Sequence, residues 1–385
     1  MEATGLHHAH GRRSGSVPAR GERAAAGDAD NRRRRPVRRF ILATLGIVAF
    51  AIVDDAKAQA LTLRVACYGG VFTQVQAKYA GALFTSRTGI RIQWIDGNPT
   101  DHLARMIASR GRAAPFDVVY YDDLVQDAAI RAHVVMKIDP AVVTNLDYLY
   151  DIARQQDGYG PGMNFYSVGF AYNARIFKDN GIPEPTSWGD MWNPKLAGHI
   201  ALPDITQSTA KDVVIATARL LGGDERNADA AFPRLAQIRP LYYYQSSADL
   251  EAKMSNGEAW IVPWNNARPA TLIAKGVPLK FVHPKEGGFG HQTVIDVVAG
   301  TPQVKEAMTF VNYVVDPLNQ LGQAYEVPYG PTNRLLAPVI GAYPDLARQF
   351  PSSPEDLKKL YRPDPAIVNA NTPRWVDMWN RIVRH

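Results

Sequence analysis

Stretches typical of β-strands alternate with stretches typical of α-helices from residue 61 onward, and this alternation limits the possible folds more than any other feature. LTLRVAC and IRIQWIDG alternate as strands do, whereas VFTQVQAKYAGALFTSRTG has a helical pattern. PTDHLARMIASRG predicts a short helix, and FDVVYYDD predicts the strand after it. Strands separated by helices favour βαβ units and a parallel sheet. In such sheets, ligands bind beyond the carboxyl ends of the strands.

Two later β-prone stretches predict how the chain passes between two blocks of this kind. FYSVGFAYN and TVIDVVAG flank a long segment that again alternates strands and helices. We therefore expect an α/β protein of two lobes, each a mainly parallel sheet flanked by helices, joined by a β hinge. One lobe would comprise residues 61–168 and 300–385, and the other would comprise residues 169–299.

The N-terminal 60 residues predict an export signal. Six arginines within residues 32–39 directly precede the apolar run Phe40–Val53, and the small residues of Ala58-Gln59-Ala60 follow it. This run is shorter than the roughly 20 residues that cross a bilayer. A basic, then apolar, then small-residue order is typical of a cleavable signal. We expect cleavage near Ala60 and a periplasmic protein, and Arg38-Arg39 makes the twin-arginine route one of two open possibilities.

The charge of the exported part excludes one class of partner. The whole chain has a net charge of +6, but residues 1–60 hold eleven Lys and Arg against six Asp and Glu. Residues 61–385 are therefore nearly neutral, and they contain no basic cluster interleaved with aromatic residues of the kind that binds nucleic acid. Cys67 is the single cysteine, so it forms no intramolecular disulfide, and we expect it to be buried in a strand.

Several motifs follow one another in an order seen in a known family. GFAYNARIFKDNGIPEPTSWGDMWNPKLAGHIALPD is followed by NGEAWIVPWNNA, HPKEGGFG, FVNYVVDPLNQ, VPYGPTN and PRWVDMWNRIV. This series resembles periplasmic solute-binding proteins of bacterial ATP-binding cassette (ABC) importers, in the family-1 group that includes spermidine/putrescine-binding proteins. The resemblance implies a two-lobed protein that closes around a small molecule and delivers it to a membrane permease. We expect a monomer that needs no cofactor.

The candidate ligand-binding residues lie at strand ends and helix starts. Glycines after the first strand allow a ligand to approach free backbone N–H groups at a helix start. Trp264-Asn265-Asn266 is the leading candidate, because the resemblance implies an aromatic wall there and amides supply oriented hydrogen bonds. The hydroxyl residues could instead cap helices. The full set is Tyr68, Gly69, Gly70, Tyr121, Asp122, Ser208, Thr209, Ser246, Trp264, Asn265, Asn266, His291 and Tyr329.

The charge of the solute stays open. In polyamine-binding relatives an acidic residue follows the wall tryptophan by two positions, where this chain has Asn266. A second acidic residue is expected where this chain has Thr293. Asp122, Asp204 or Asp296 could substitute for them, because a desolvated ammonium needs a carboxylate partner. Polyamine-like cations, amino-acid-like zwitterions and small organic acids all remain candidates.

Two other functions were weighed against solute binding. Tyr242-Tyr243-Tyr244 suggests a ferric-ion-binding transport protein, since phenolate oxygen suits a hard cation. In those relatives, however, the tyrosine pair follows the NGEA strand, whereas the triplet here precedes it, so we predict no metal site. A secreted enzyme is the second alternative. The chain has no G-x-S-x-G, H-E-x-x-H or P-loop motif, so we predict no catalytic residues.

Overall fold

The structure is a computed structural model that describes residues 61–154 and 157–384. The export signal and its cleavage site, predicted within residues 1–60, lie outside the described residues. Within the described ranges, no helix has both the length and the apolar character needed to cross a membrane.

The described residues form a nine-stranded mixed sheet and a two-stranded parallel sheet of β6 and β7, with helices packed around them. The strands are β1 Thr62–Cys67, β2 Arg91–Asp96, β3 Val118–Asp122, β4 Val135–Met136, β5 Gly162–Asn173, β6 Ala201–Pro203, β7 Tyr242–Tyr244, β8 Ile261–Asn265, β9 Leu279–Val282, β10 Phe289–Val298 and β11 Gly330–Pro331. The α-helices are α1 Gly70–Gln76, α2 Ala82–Thr88, α3 Pro99–Ala108, α4 Asp123–Arg131, α5 Ala174–Asp179, α6 Ser208–Leu220, α7 Ala231–Leu235, α8 Ser247–Ser255, α9 Ala267–Ala274, α10 Val304–Val314, α11 Pro317–Glu326, α12 Ala337–Gly341, α13 Pro344–Ala347, α14 Pro354–Lys358 and α15 Pro365–Met378. Two π-helical turns, Ala77–Gly81 and Trp379–Val383, extend α1 and α15.

The first βαβ block folds as the alternating pattern predicts. β1 lies between β2 and β3 and is parallel to both, with Val65 opposite Trp94 on one side and Val118 on the other. Gly69 and Gly70 turn the chain from β1 into α1 with φ angles of +83° and +60°. These left-handed angles favour glycine, because it has no Cβ to clash with the backbone. Cys67 is buried at the end of β1, as predicted.

Two long strands connect the two parts of the sheet. The first half of β5 pairs with β10 and β11, and its second half pairs with β8 and β9. β10 returns antiparallel to β5 and also pairs with β3. The two-lobe α/β fold is confirmed, but the sheet is mixed rather than mainly parallel. Strands that cross out and back run in opposite directions, so they pair antiparallel with each other.

Separate hydrophobic clusters support the two parts of the chain. One cluster contains Val65, Val118 and Phe310 from β1, β3 and α10. Another contains Phe170 and Val214, from the second half of β5 and from α6. Trp375 and Trp379 of the C-terminal segment belong to this second cluster. For this reason we propose that the chain from residue 365 onward belongs with the second lobe, in place of the sequence-based assignment to the first.

Candidate functional site

A cleft opens where β1 and β3 end and where several helices begin. Its inner cavity has a volume of about 100 Å³, and its outer cavity has a volume of about 580 Å³. The two cavities share lining residues, so they form one cleft. The shared residues are Tyr68, Asn98, Pro99, Gln207, Ser247 and Arg268. Because they come from the first block and from α6, α8 and α9, the cleft has a wall from each lobe.

Ten of the predicted residues line this cleft. The inner cavity is lined by Tyr68, Asp122, Ser208, Thr209, Trp264, Asn265 and Tyr329. The outer cavity is also lined by Gly69, Gly70 and Ser246. The structure thus brings together residues that are up to 261 positions apart in the chain. That these side chains contact a solute stays a prediction.

Tyr121 does not line the cleft, although Asp122 does. The Tyr121 side chain is buried, and its hydroxyl donates to the sulfur of Met106 at 3.5 Å. Adjacent residues of a strand point to opposite faces, so only one of this pair can face the cleft. Tyr121 is therefore corrected to a core residue.

Asn266 also lies outside the cleft, on the far side of the crossing strands. Its Oδ1 accepts from the Ser167 N–H at 2.8 Å, and its Nδ2 donates to the carbonyls of Pro328 at 2.9 Å and Gln349 at 2.7 Å. These three bonds hold the segments around residues 167, 328 and 349 together. Asn266 is therefore corrected to a structural residue, and its neutral amide gives no information about the charge of the solute.

His291 lies beneath the cleft rather than in its wall. Its Nδ1 is 2.9 Å from Oδ1 of Asp123, and its Nε2 is 3.1 Å from Oδ1 of Asp212. Its ring stacks on Tyr166, which does line the inner cavity, with 5.4 Å between ring centroids. His291 is therefore corrected to a residue that supports the cleft floor from below.

Sequence reasoning missed several lining residues of the inner cavity. They are Asn98, Pro99, Tyr166, Gln207, Tyr244, Ser247, Arg268 and Thr293. From the sequence, Thr293 is expected only as the replacement of an acidic residue, and Tyr244 only as part of the tyrosine triplet. Asn98 carries a usable signal, because an Asn before a Pro and a helical pattern predicts a helix cap at a strand end.

Besides α4, which begins directly after Asp122, four helices of eight or more residues begin at the cleft. The Asn98 side chain accepts from the Thr100 N–H at the start of α3, and Ser246 accepts from the Asp249 N–H at the start of α8. Asn265 accepts from the Arg268 N–H at the start of α9. The fourth helix, α6, begins at Ser208. Helix N-termini carry partial positive charge, so together they favour negative charge in the cleft.

Charged residues of both signs line the cleft: Asp96 and Asp101 line the outer cavity, Asp122 lines the inner cavity, and Arg268 lines both. Asp122 faces the inner cavity, where its Oδ1 accepts from the Val125 N–H at 3.0 Å and its Oδ2 accepts from the Ser208 hydroxyl at 2.6 Å. Arg268 lines both cavities, and its Nη1 is 3.2 Å from Oε1 of Glu251. The Asp122–Ser208 bond joins the end of β3 to the start of α6, so it connects the two lobes across the cleft.

Aromatic side chains supply most of the remaining inner surface. Tyr68 and Tyr329 both pack edge-on against Phe72, with centroids 5.0 and 5.6 Å from it. Burial raises the pKa of Tyr68 well above its ordinary value, and the Asp122 carboxylate raises that pKa further. Burial also raises the pKa of Tyr329, although the Arg268 guanidinium opposes that rise. Both hydroxyls are therefore protonated at neutral pH and can donate to a solute.

The tyrosine triplet does not form a shared site. Tyr243 donates its hydroxyl to the Val383 carbonyl at 3.0 Å, whereas Tyr244 donates to the Pro263 carbonyl at 2.8 Å. Successive residues of β7 face opposite sides, so neighbouring hydroxyls cannot converge on one ion. Within residues 61–154 and 157–384, no group of three or more His, Cys, Asp or Glu side chains could hold a metal. The ferric-ion alternative is not favoured.

The sequence pattern of bacterial extracellular solute-binding proteins matches residues 80–347, which is more than half of the chain. The chain belongs to this family. The spermidine/putrescine-binding periplasmic protein of Escherichia coli K12 is 25% identical over 280 residues, which cover 68% of this chain and 78% of that protein. The gamma-aminobutyric acid-binding protein of Pseudomonas aeruginosa is 22% identical over 303 residues, which cover 76% of this chain and 83% of that protein.

A solved structure agrees with this family assignment at the level of the fold. The binding protein AgtB of Agrobacterium tumefaciens R10, in complex with agropinic acid, superposes with a TM-score of 0.71 at 22% identity. The match covers 84% of this chain and 99% of that protein. The family of solute-binding proteins of ABC importers, which the motifs in the sequence resemble, is thus confirmed.

Proposed function

We propose that this protein is the periplasmic substrate-binding component of an ABC importer, and that it captures a small organic solute in the cleft described above. One observation carries the proposal. The cleft lies at the crossing strands and has one wall from each lobe, and the Asp122–Ser208 bond connects these walls. A solute held between two such walls would keep them together, which is how a binding protein signals that it is loaded.

The names of the relatives support the same proposal. Two of them are named for spermidine and putrescine or for gamma-aminobutyric acid, and a solved neighbour holds agropinic acid. All of these are binding proteins, which supports a role in transport rather than in catalysis. We further propose that the mature chain begins near Leu61 and works as a monomer that docks on a membrane permease.

A ligand screen with a blocked cleft tests this proposal. Polyamines, amino acids, phosphonates and carboxylates are added singly to the exported protein, and thermal unfolding is recorded. A ligand at 100 times its Kd stabilises the folded state by about 2.7 kcal/mol. Ser247, at the start of α8, lines both cavities, so Ser247→Trp should fill the cleft and abolish the shift.

The control places the same side chain on the same helix outside the cleft. Ser255 is exposed at the end of α8, so Ser255→Trp should keep the wild-type response. Circular dichroism checks that both variants fold. The proposal fails if no compound class shifts the unfolding temperature of the wild type, or if Ser247→Trp responds as the wild type does.

A further inference from the structure

A buried guanidinium in the wall of the cleft points to the charge of the solute. Arg268 is 5% exposed, yet it lines both the inner and the outer cavity. Among the cleft-lining residues that the structure describes, Arg268 is the one Lys or Arg. A buried cation is costly unless it has partners, so the Arg268 guanidinium needs hydrogen-bond acceptors in the folded protein.

The protein supplies only part of these acceptors. Glu251 accepts from Nη1 at 3.2 Å, but a guanidinium has five N–H donors in a planar fork. The same Nη1 lies 3.6 Å from the position that a Cβ on Gly70 would occupy, so the guanidinium reaches across the cleft to the start of α1. This geometry leaves Arg268 able to form a paired interaction with a carboxylate, which is the group its fork fits best.

The opposite charge lines the inner cavity at the end of β3. Asp122 is 4% exposed, and it accepts one hydrogen bond at each oxygen from within the protein. A carboxylate has about four lone-pair sites, so it can still accept from an ammonium group. Tyr68, Tyr166 and Tyr329 line the same cavity as Asp122 and Arg268, and the ring centroids of Tyr166 and Tyr329 lie 6.0 Å apart. The two charges therefore border one aromatic-lined space.

We propose that the solute is a zwitterion whose carboxylate binds Arg268 and whose ammonium group binds Asp122. This inference rests on the proposed function and specifies its substrate class. In the inner cavity, where Asp122 and Arg268 are the charged lining residues, a diamine would place a second ammonium beside the guanidinium, and a dicarboxylate would place a second anion beside Asp122. Both arrangements put like charges together in a water-poor site, which is unfavourable.

Titration calorimetry with compounds matched in length tests the proposal. The probes are ω-amino acids, α,ω-diamines and α,ω-dicarboxylates of four to six carbons, together with the common α-amino acids. The wild type should bind at least one amino acid at least tenfold more tightly than it binds any diamine or dicarboxylate. Arg268→Gln should weaken that amino acid roughly 10- to 100-fold, because it removes the charge-assisted bonds.

A surface arginine provides the matched control. Arg226 is 60% exposed, pairs with Asp224 and does not line the cleft, so Arg226→Gln should leave the affinity unchanged. The ranking of the three probe classes on the wild type tests the proposal independently of any variant. This ranking therefore tests whether the solute is a zwitterion even if Arg268→Gln fails to fold.

The outcomes that would contradict the zwitterion differ from those that would contradict solute binding itself. Tighter binding of a diamine or a dicarboxylate overturns the zwitterion but leaves solute binding intact. If Arg268→Gln binds the amino acid as tightly as the wild type does, the proposed role of Arg268 is overturned as well. If no probe of any class binds, both the zwitterion and a small charged organic solute are excluded.

Discussion

At the scale of single residues, His291 is the most constrained titratable group near the cleft. Both of its ring nitrogens lie within 3.1 Å of a carboxylate oxygen. A neutral imidazole carries one N–H, so it cannot donate to both Asp123 and Asp212, whereas an imidazolium can. Burial lowers the pKa of His291, but the two carboxylates outweigh it and raise the pKa well above its ordinary value.

Other charges surround this group on the elements that pack against it. Lys211 and Asp212 lie on α6, Asp122 and Asp123 lie at the start of α4, and Arg362 lies 3.7 Å from Asp123. Burial raises the pKa of Asp212, although His291 opposes that rise. Burial lowers the pKa of Lys211. The protonated His291 of β10 therefore pairs with Asp123 of α4 and Asp212 of α6, and so links these three elements beneath the cleft floor.

This arrangement predicts how stability depends on pH. A group whose pKa is raised on folding stabilises the protein fully below its unfolded pKa, about 6.5 for histidine, and loses that contribution as pH rises. The free energy of unfolding should therefore fall from pH 6.5 upward, by at most about 1.4 kcal/mol per pH unit. Urea denaturation between pH 6 and pH 9 measures this slope.

Removing the ion pair as a unit isolates the contribution of His291. The double variant His291→Asn/Asp212→Asn keeps polar side chains but removes both charges, so its slope should be flatter. His133→Asn, at an exposed loop position, should keep the wild-type slope. Equal slopes for the wild type and the double variant would show that His291 is not held as an imidazolium.

Residue types at strand ends predicted much of the cleft, but the direction of individual side chains was not predictable. Tyr68, Asp122 and Trp264 were found because they follow strand patterns that end at the same edge. Asn266 and Arg268 are two positions apart, yet one binds backbone behind the crossing strands and the other lines the cleft. This difference depends on how α9 begins and on the segments that contact Asn266, which no local pattern contains.

At the scale of secondary-structure elements, the C-terminal helix is the clearest case of long-range packing. α15 contributes Trp375 to the cluster around α6, and the following π-helical turn contributes Trp379. Tyr243 of β7 donates its hydroxyl to the Val383 carbonyl, and Arg384 pairs with Asp204 at 3.2 Å. The tail therefore packs against β7 and the cluster around α6, and Asn369 of α15 also donates to the Leu124 carbonyl of α4 at 2.8 Å.

Truncating a buried tryptophan measures this contribution. Trp375 is 1% exposed, so Trp375→Ala should lower the free energy of unfolding by about 3–5 kcal/mol through lost burial and a cavity. Tyr325 on α11 is 79% exposed, so Tyr325→Ala should change the free energy by less than about 0.5 kcal/mol. Urea denaturation compares both with the wild type. Similar small effects of the two substitutions would mean that the tail is not part of the core.

The sequence predicts where strands and helices form better than it predicts which of them pack together. LTLRVAC, IRIQWIDG and FDVVYYDD were recognised as strands because their apolar residues follow strand periodicity, and β1, β2 and β3 lie there. The placement of the tail is not predictable from the sequence, because Trp379 packs edge-on against Tyr243, which lies 136 positions earlier in the sequence. Periodicity indicates which face of a helix is buried, but not which lobe it is buried against.

At the scale of the whole molecule, β5 and β10 determine how the two lobes are joined. β5 and β10 pair with each other. β5 also pairs with β8 in the second lobe, and β10 also pairs with β3 in the first lobe. Polar contacts cross the cleft, as in the Thr100 hydroxyl that donates to the Thr206 carbonyl at 3.0 Å. Such contacts are weak individually, so a bound solute can decide whether the lobes stay together.

Small-angle X-ray scattering tests this central claim most directly. The protein is measured alone and then saturated with a compound that titration calorimetry has shown to bind, and Ser247→Trp provides the sample with a filled cleft. If the protein captures its solute by closing two rigid lobes about β5 and β10, the radius of gyration of the wild type decreases on saturation. That of Ser247→Trp stays constant. An unchanged scattering profile for the wild type, with the compound bound, would contradict capture by closure of the cleft.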